Sequence, residues 1–191
     1  AENGAGPHGS MTGITGSGKS EHLKSWVLAL AATHSPEQLR ILLGDFKGQA
    51  GLGVLEHLPH CVGIVSNLEN SRHKLERFKL VLRGEVNRRQ EVLHATGFKD
   101  VRDYERARTG GRTDLEPIGA LLLVLDEFSQ MLEFAPEMAK VMDQVGLVGR
   151  SLWIHIINAS QRAEQGKMSG MIAQQTYAIG LKLKDAGESR A

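Results

Sequence analysis

Eight residues near the start of the chain, Gly13-Ile14-Thr15-Gly16-Ser17-Gly18-Lys19-Ser20, satisfy the pattern G-x-x-x-x-G-K-[ST] in full and restrict the fold more than any other feature. Such a pattern works as a phosphate-binding loop only where a strand leads into it and a helix leads away. A helix does follow. Leu23, Trp26, Val27, Leu30 and Ala31 recur at helical spacing between Lys19 and Thr33, as one face of a helix laid on a sheet requires. The strand before the loop, Ser10-Met11-Thr12, is short and barely apolar. Within the loop, glycines let successive backbone N–H groups curl round phosphate oxygens with no Cβ in the way. The helix start turns its unpaired N–H groups and positive dipole end toward the anion. Gly13, Thr15, Gly16, Ser17, Gly18, Lys19, Ser20 and Glu21 are therefore the candidate nucleotide-binding residues. Lys19 would reach the β- and γ-phosphates, and the Ser20 hydroxyl would ligate Mg2+.

Downstream, short apolar runs alternate with helical stretches, the pattern of an α/β fold with a mostly parallel central sheet flanked by helices. Strands are expected at Leu39–Leu43 (reaching Asp45), Cys61–Val65, Ala120–Leu125, Leu152–Ala159 and Tyr177–Leu183. The longest helix should run from about Leu68 to Ala95, with Leu75, Phe78, Leu82, Val86 and Leu93 on one side. Gly84 in its middle weakens the expected continuity. Gly48, Gly51 and Gly53 mark a loop after Asp45, and residues 98–117 read as a short helix plus an exposed loop. No repeat at solenoid periods is present, and residues 1–191 read as a single domain.

A phosphate loop needs an acidic element on a neighbouring strand, and Leu121–Leu125 followed by Asp126-Glu127 supplies one. Asp126 would hold Mg2+ through its water shell. Glu127 would act as general base toward the attacking water. The plainer reading is that two carboxylates end a strand and cap the next helix, and the complete phosphate loop outweighs it. The apolar run Trp153–Ile157 leads to Asn158-Ala159-Ser160-Gln161-Arg162, where a polar strand end can contact the γ-phosphate or the lytic water. Gln161 is the candidate there, with Ser160 behind it. Arg150 lies between a helix and that strand. It could be a finger offered to a neighbour's nucleotide, with a solvated arginine the default reading of the residues alone.

Charge and cysteine content narrow the function classes. Twenty-three basic against 22 acidic residues leave a formal net charge of +1, without the basic footprint of a dedicated nucleic-acid binder. Arg72, Lys74, Arg77, Lys79, Arg83, Arg88 and Arg89 could give one helix a basic face for DNA or an acidic partner, with a solvated face the default. No apolar run approaches the roughly 18 residues of a bilayer-spanning helix, and no signal peptide is visible. The start without Met and the stop soon after an apolar stretch suggest a piece of a longer protein. The single cysteine, Cys61, excludes an internal disulfide, fits a reducing compartment and reads as a small buried apolar group. His57 and His60 flank a Pro-containing turn beside it but lack a third donor at ligand spacing, so a local structural role is expected over zinc.

Several stretches together resemble the FtsK/SpoIIIE family of RecA-like motor ATPases. They are Pro7-His8-Gly9, Thr33-His34-Ser35-Pro36-Glu37-Gln38-Leu39, Leu58-Pro59-His60, Gly84-Glu85 with Arg88-Arg89, and Val124-Leu125-Asp126-Glu127-Phe128. Within that family the chain is most similar to the EccC-type ATPases of type VII secretion. Gly18-Lys19-Ser20-Glu21, Asp45-Phe46-Lys47-Gly48, Asp103-Tyr104-Glu105, Gly149-Arg150-Ser151-Leu152 and Ala159-Ser160-Gln161-Arg162 carry that likeness. The resemblance implies an ATP- and Mg2+-dependent, RecA-like P-loop ATPase, most like the first of several tandem ATPase domains. It further implies hexameric assembly with neighbouring subunits and contact with membrane components of a secretion system. Secreted helical proteins would be met through another domain, and nucleic acid is not an expected partner. The unit would be a cytoplasmic domain of a parent anchored in a bacterial cell membrane, and Arg150 matches the expected position of the arginine finger. Two departures stand out: Gln49-Ala50-Gly51-Leu52-Gly53 replaces the usual Gly-Ala-Thr-Phe, and Ile14 stands where Ala is common. The first leaves the role of loop 46–53 open. A double-stranded DNA translocase of the same fold and a nucleotide-holding platform without turnover are the alternatives.

Overall fold

Runs of Leu, Ile and Val too short to form buried helices find partners on both sides in a six-stranded sheet. The computed structural model describes residues 6–46, 51–66, 72–161 and 175–183. Its first half comprises β1 (His8–Thr12), α1 (Lys19–Thr33), β2 (Leu39–Asp45), a 3-10 turn (Gly53–Leu55), β3 (Cys61–Ser66) and α2 (Arg72–Thr96). Its second half comprises α3 (Val101–Thr109), β4 (Ala120–Asp126), α4 (Phe128–Phe134), α5 (Met138–Leu152), β5 (Ile154–Ser160) and β6 (Gln175–Gly180). The sheet order is β3-β2-β4-β5-β1-β6, and every described pairing is parallel. Parallel strands end at one edge, so Thr12, Asp45, Asp126 and Ser160 come together there. Asp45 is the direct partner of Asp126, and Thr12 of Ser160.

Strand pleating sends alternate residues to opposite faces, and two cores result. Leu121, Leu123, Leu125, Ile154 and Ile156 meet residues of α2, α3, α4 and α5. Leu122, Val124, Ile41, Leu43 and Ile157 meet Leu23 and Val27 of α1, with Leu52 and Leu55 beyond β2. Trp26 and Leu30 pack partly buried against the second core.

The helix after the phosphate loop has the expected bounds. Its leading strand is as short and polar as the sequence suggests, yet it is held between β5 and β6. Gly9 lets the Tyr177 ring lie where a Cβ would stand 2.0 Å from the ring's Cε2. Other expectations need correction. Leu152 ends α5 rather than starting a strand, because Trp153 adopts the left-handed conformation (φ 57°) and the strand begins at Ile154. The last strand lies earlier, at Gln175–Gly180. Gly84 does not interrupt α2; its Cβ position is open space, so only propensity is lost there. The expected helix start near Leu68, and Gly48 of the loop after Asp45, lie outside the described residues. The segment after α3 is not wholly exposed, since Leu115 and Ile118 are buried, the Ile118 N–H donates to Glu105, and the Tyr104 hydroxyl donates to the Glu116 carbonyl. Arg89 does not belong to a solvated basic face: it is 1% exposed and donates to the carbonyls of Leu152 (2.6 Å) and Gly119 (2.9 Å) and to Glu85 (2.7 Å). Among the described residues, no helix is long and apolar enough to cross a membrane.

Candidate nucleotide site

The loop between β1 and α1 is pinned at its start by two backbone bonds. The Gly13 N–H donates to the Ser160 carbonyl (3.1 Å) and the Ile14 N–H to the Lys182 carbonyl (3.0 Å). Gly16 and Gly18 then take φ values of 79° and 86°, the left-handed region where a Cβ would strain the backbone. No side chain caps the N-terminus of α1. Its first N–H groups are thus left facing the cleft, the arrangement that favours an anion. Thr15, Gly16, Gly18, Lys19, Ser20 and Glu21 line an open cleft of about 310 Å3 together with Asp45, Asp126 and Glu127. Gly13 and Ser17 do not line it. They pack on each other, and a Cβ on Gly13 would lie 2.5 Å from the Ser17 hydroxyl. That hydroxyl is buried and, among the described residues, has no hydrogen-bond partner.

The carboxylates at the end of β4 face this cleft. Lys19 Nζ donates to Glu127 Oε1 at 2.9 Å and lies 3.1 Å from Asp126 Oδ1. Ser20 Oγ donates to Asp126 Oδ2 at 2.8 Å, and the Glu127 N–H donates to Asp126 Oδ1 at 2.9 Å. Gln161 Nε2, beyond the end of β5, donates to the same Glu127 Oε1 at 3.1 Å. Ser160 is buried behind it, its carbonyl holding the Gly13 N–H. Glu127 is the N-cap residue of α4 but makes no side-chain cap bond, so helix capping does not account for it. Its backbone is left-handed (φ 53°, ψ 45°). For a residue with a Cβ this costs on the order of 1 kcal/mol or more, strain of the kind that gathers at functional sites.

Among the described residues that line the cleft, carboxylates outnumber ammonium groups. One ammonium meets two carboxylates that are each 4% exposed, with a third, Asp45, equally buried on the same wall. A wall of buried carboxylates is a setting that accommodates a cation. The oxygen pair from Ser20 and Asp126 suits Mg2+, which takes one or two protein oxygens and completes its shell with phosphate and water. Among the described residues no three His, Cys, Asp or Glu side chains gather closely enough to hold an ion alone. The site thus fits a metal that arrives with a nucleotide.

Arg150 is not brought to this cleft. It lies inside α5, exposed, two residues before the helix ends. The length of β5, about 20 Å at strand rise, separates that end of the sheet from the cleft.

Three buried residues have roles that the sequence did not show: two carried no assignment there, and Arg89 was placed on a solvated basic face. Asp45 carries the same signal as Asp126, an acidic residue ending a buried strand, but only strand order shows that the two are neighbours. His8 is fully buried; its Nδ1 accepts the Ile156 N–H (3.1 Å) and its Nε2 donates to the Gly146 carbonyl (3.0 Å). Burial lowers its pKa to about 4, which keeps the ring neutral. Arg89, described above, is the third. The structural reading of His60 agrees with its surroundings, its Nε2 donating to the His34 carbonyl (2.8 Å); Cys61, expected to be buried, is only half-buried, and that burial pushes its thiol up.

Comparison with known proteins gives one consistent result. The FtsK/SpoIIIE family model matches residues 1–191. The ESX secretion system protein EccC of Thermomonospora curvata is 47% identical over 191 residues, which are 100% of this chain and 14% of that protein. The ESX-3 secretion system protein EccC3 of Mycobacterium tuberculosis is 43% identical over 197 residues, covering 100% of this chain and 15% of that protein. The chain therefore spans about a seventh of the length of these relatives. The solved cytoplasmic domain of the Thermomonospora curvata type VII secretion ATPase EccC superposes with a TM-score of 0.92, covering 98% of this chain and 22% of that one at 47% identity. ATPases 2 and 3 of the same protein, solved with a signal sequence peptide, share the fold at a TM-score of 0.81 and 22% identity, covering 95% of this chain and 32% of that one. The parallel sheet with helices on both faces is thus the RecA-like α/β fold of P-loop ATPases.

Proposed function

The chain belongs to the FtsK/SpoIIIE family, and on that premise we propose that it is an ATPase unit whose Mg2+-dependent hydrolysis of ATP powers protein export through a type VII secretion system. The observation that carries the reading is the junction of Lys19, Ser20, Asp126, Glu127 and Gln161 at the mouth of an uncapped helix. ATP supplies the phosphoryl group, and Mg2+ neutralises its developing charge. Lys19 exchanges its carboxylate partners for the β- and γ-phosphates. Ser20 would ligate the metal and Asp126 would hold it through its water shell. Glu127, released by Lys19, takes the proton of the attacking water, and Gln161 keeps that carboxylate and the water aligned. Gly13 and Ser17 shape the loop from beneath.

Export is favoured over DNA translocation by the likeness to EccC proteins and by a net charge of only +1. An identity of 47% to one stretch of EccC, against 22% to its ATPases 2 and 3, supports placing these residues as the first ATPase domain of a tandem set. The neighbouring domains and subunits, in a hexamer beside the membrane components of the secretion system, would provide the arginine that is not found among the described residues of the cleft. The parent protein would be membrane-anchored with this domain on the cytoplasmic side. The test is binding of a fluorescent ATP analogue with and without Mg2+, alongside turnover with and without duplex DNA. Mg2+-dependent binding lost in Lys19→Ala, with turnover indifferent to DNA, is expected. Failure to bind nucleotide would overturn the ATPase reading, and stimulation by DNA with a steep salt dependence would transfer the unit to the translocases.

A further inference from the structure

We propose that Leu147 of α5, with the apolar groove beside it, is the docking surface through which this chain seats Arg150 against the cleft of a second copy. This rests on reading Arg150 as a finger that acts on another unit. Gln144, Leu147 and Arg150 follow one another at three-residue steps along α5, and all three are exposed. Residues three apart are neighbours on a helix surface. Leu147 is 61% exposed on a helix that buries Val141, Met142, Val145 and Leu152 on its other side. Single exposed leucines are common on protein surfaces, but this one borders a groove. Val86 of α2 and Val145 and Val148 of α5 line that groove, about 430 Å3 in volume, with Arg83, Gln144 and Leu147 also on its walls. Leu80, one turn before Arg83 on α2, is 64% exposed and adds to the apolar area there.

Reach and charge both point to a second copy as the occupant. Leu147 lies about 4.5 Å from Arg150 along the helix axis, at a rise of 1.5 Å per residue. A body close enough for Arg150 to enter its cleft therefore covers the turn that carries Leu147. Arg83 and Arg150 make this face basic on both sides of Leu147, and both are exposed. The opposite end of the sheet carries the complement: Glu21, Asp45, Asp126 and Glu127 line the cleft with the single ammonium of Lys19, and a bound nucleotide adds its phosphates. Opposite charges at opposite ends of one molecule suit a head-to-tail contact, the kind that repeats from copy to copy and closes into a ring. Apolar side chains at the centre of such a contact and charged ones at its rim are the usual division of an interface.

The test is self-association of the chain with Mg2+ and a non-hydrolysable ATP analogue, followed by sedimentation velocity across chain concentration, beside ATP turnover of mixed variants. Leu147→Ser alters an exposed position, so it should fold and bind the analogue within about twofold of the unaltered chain. Its association should weaken about tenfold or more, the loss when one leucine side chain is no longer buried. Leu147→Met keeps the apolar bulk and should associate like the unaltered chain. In mixtures, a Glu127→Gln chain supplies Arg150 to an Arg150→Ala chain, and Leu147→Ser added to the supplying chain should remove most of the recovered turnover. Unchanged association in Leu147→Ser, with recovery in the mixture intact, would overturn the docking surface and leave the finger reading standing. Analogue binding lost in parallel would mark Leu147 as a structural residue, and a chain that stays monomeric would exclude the second copy; either result overturns the proposal. An Arg150→Ala chain that turns over like the unaltered one would overturn the finger reading itself.

Discussion

Glu127 combines a left-handed backbone with a buried carboxylate shared by Lys19 and Gln161, and the amide isostere separates its chemistry from its shape. Glu127→Gln is expected to bind Mg-ATP nearly as well as the unaltered chain and to turn over about 10² to 10⁴ times more slowly, the range for a lost general base. Single-turnover hydrolysis with a parallel binding titration checks both halves. His8 gives a second residue-level test. Its imidazole titrates near 6.5 when unfolded and only near about 4 in the fold. The unfolded chain therefore binds the extra proton first. The stability that the neutral ring contributes is complete above 6.5 and is lost as pH falls toward 4, by about 3 kcal/mol at most. His8→Asn, which can still accept the Ile156 N–H, should flatten that acid-side decline in urea unfolding, and an unchanged slope would refute the assignment. Lys19 and Ser20 were legible from the spacing of one motif, and Asp126 and Glu127 from an acidic pair that ends a strongly apolar run. Asp45 and His8 were not, because their meaning comes from which strand lies beside which.

At the scale of elements, the junction from α5 to β5 is where local pattern misleads. Apolar Leu152 and Trp153 read as strand, but Trp153 turns left-handed and its N–H closes the helix on the Gly149 carbonyl. Arg89 from α2 then takes the Leu152 carbonyl, joining two elements that are 63 residues apart. Arg89→Met keeps an apolar stem but leaves the Leu152 and Gly119 carbonyls without that donor. A loss of about 2–3 kcal/mol in urea denaturation is expected, since each buried acceptor left unpaired costs about 1–3 kcal/mol. Gly149→Ala should also destabilise, by about 1–3 kcal/mol, because its Cβ would meet the Ile154 carbonyl at 2.6 Å and the His8 ring. The helix faces and strand cores were readable from periodicity, since one buried side repeats regularly. Element ends were less so: caps and left-handed residues are set by distant partners.

For the whole molecule, the decisive fact is that the cleft and Arg150 lie at opposite ends of a parallel sheet. A finger at that position can serve only another unit's nucleotide, so activity should belong to contacts between units. The measurement that tests this most directly is ATP turnover against chain concentration, made for the unaltered chain and for Glu127→Gln and Arg150→Ala separately and mixed. Specific activity should rise with concentration and fall in each variant alone, by about 10³-fold or more for a lost finger in full assembly. Mixing should recover part of it, because one variant keeps the finger and the other keeps the site. Turnover that is independent of concentration and unaffected by Arg150→Ala would contradict the account.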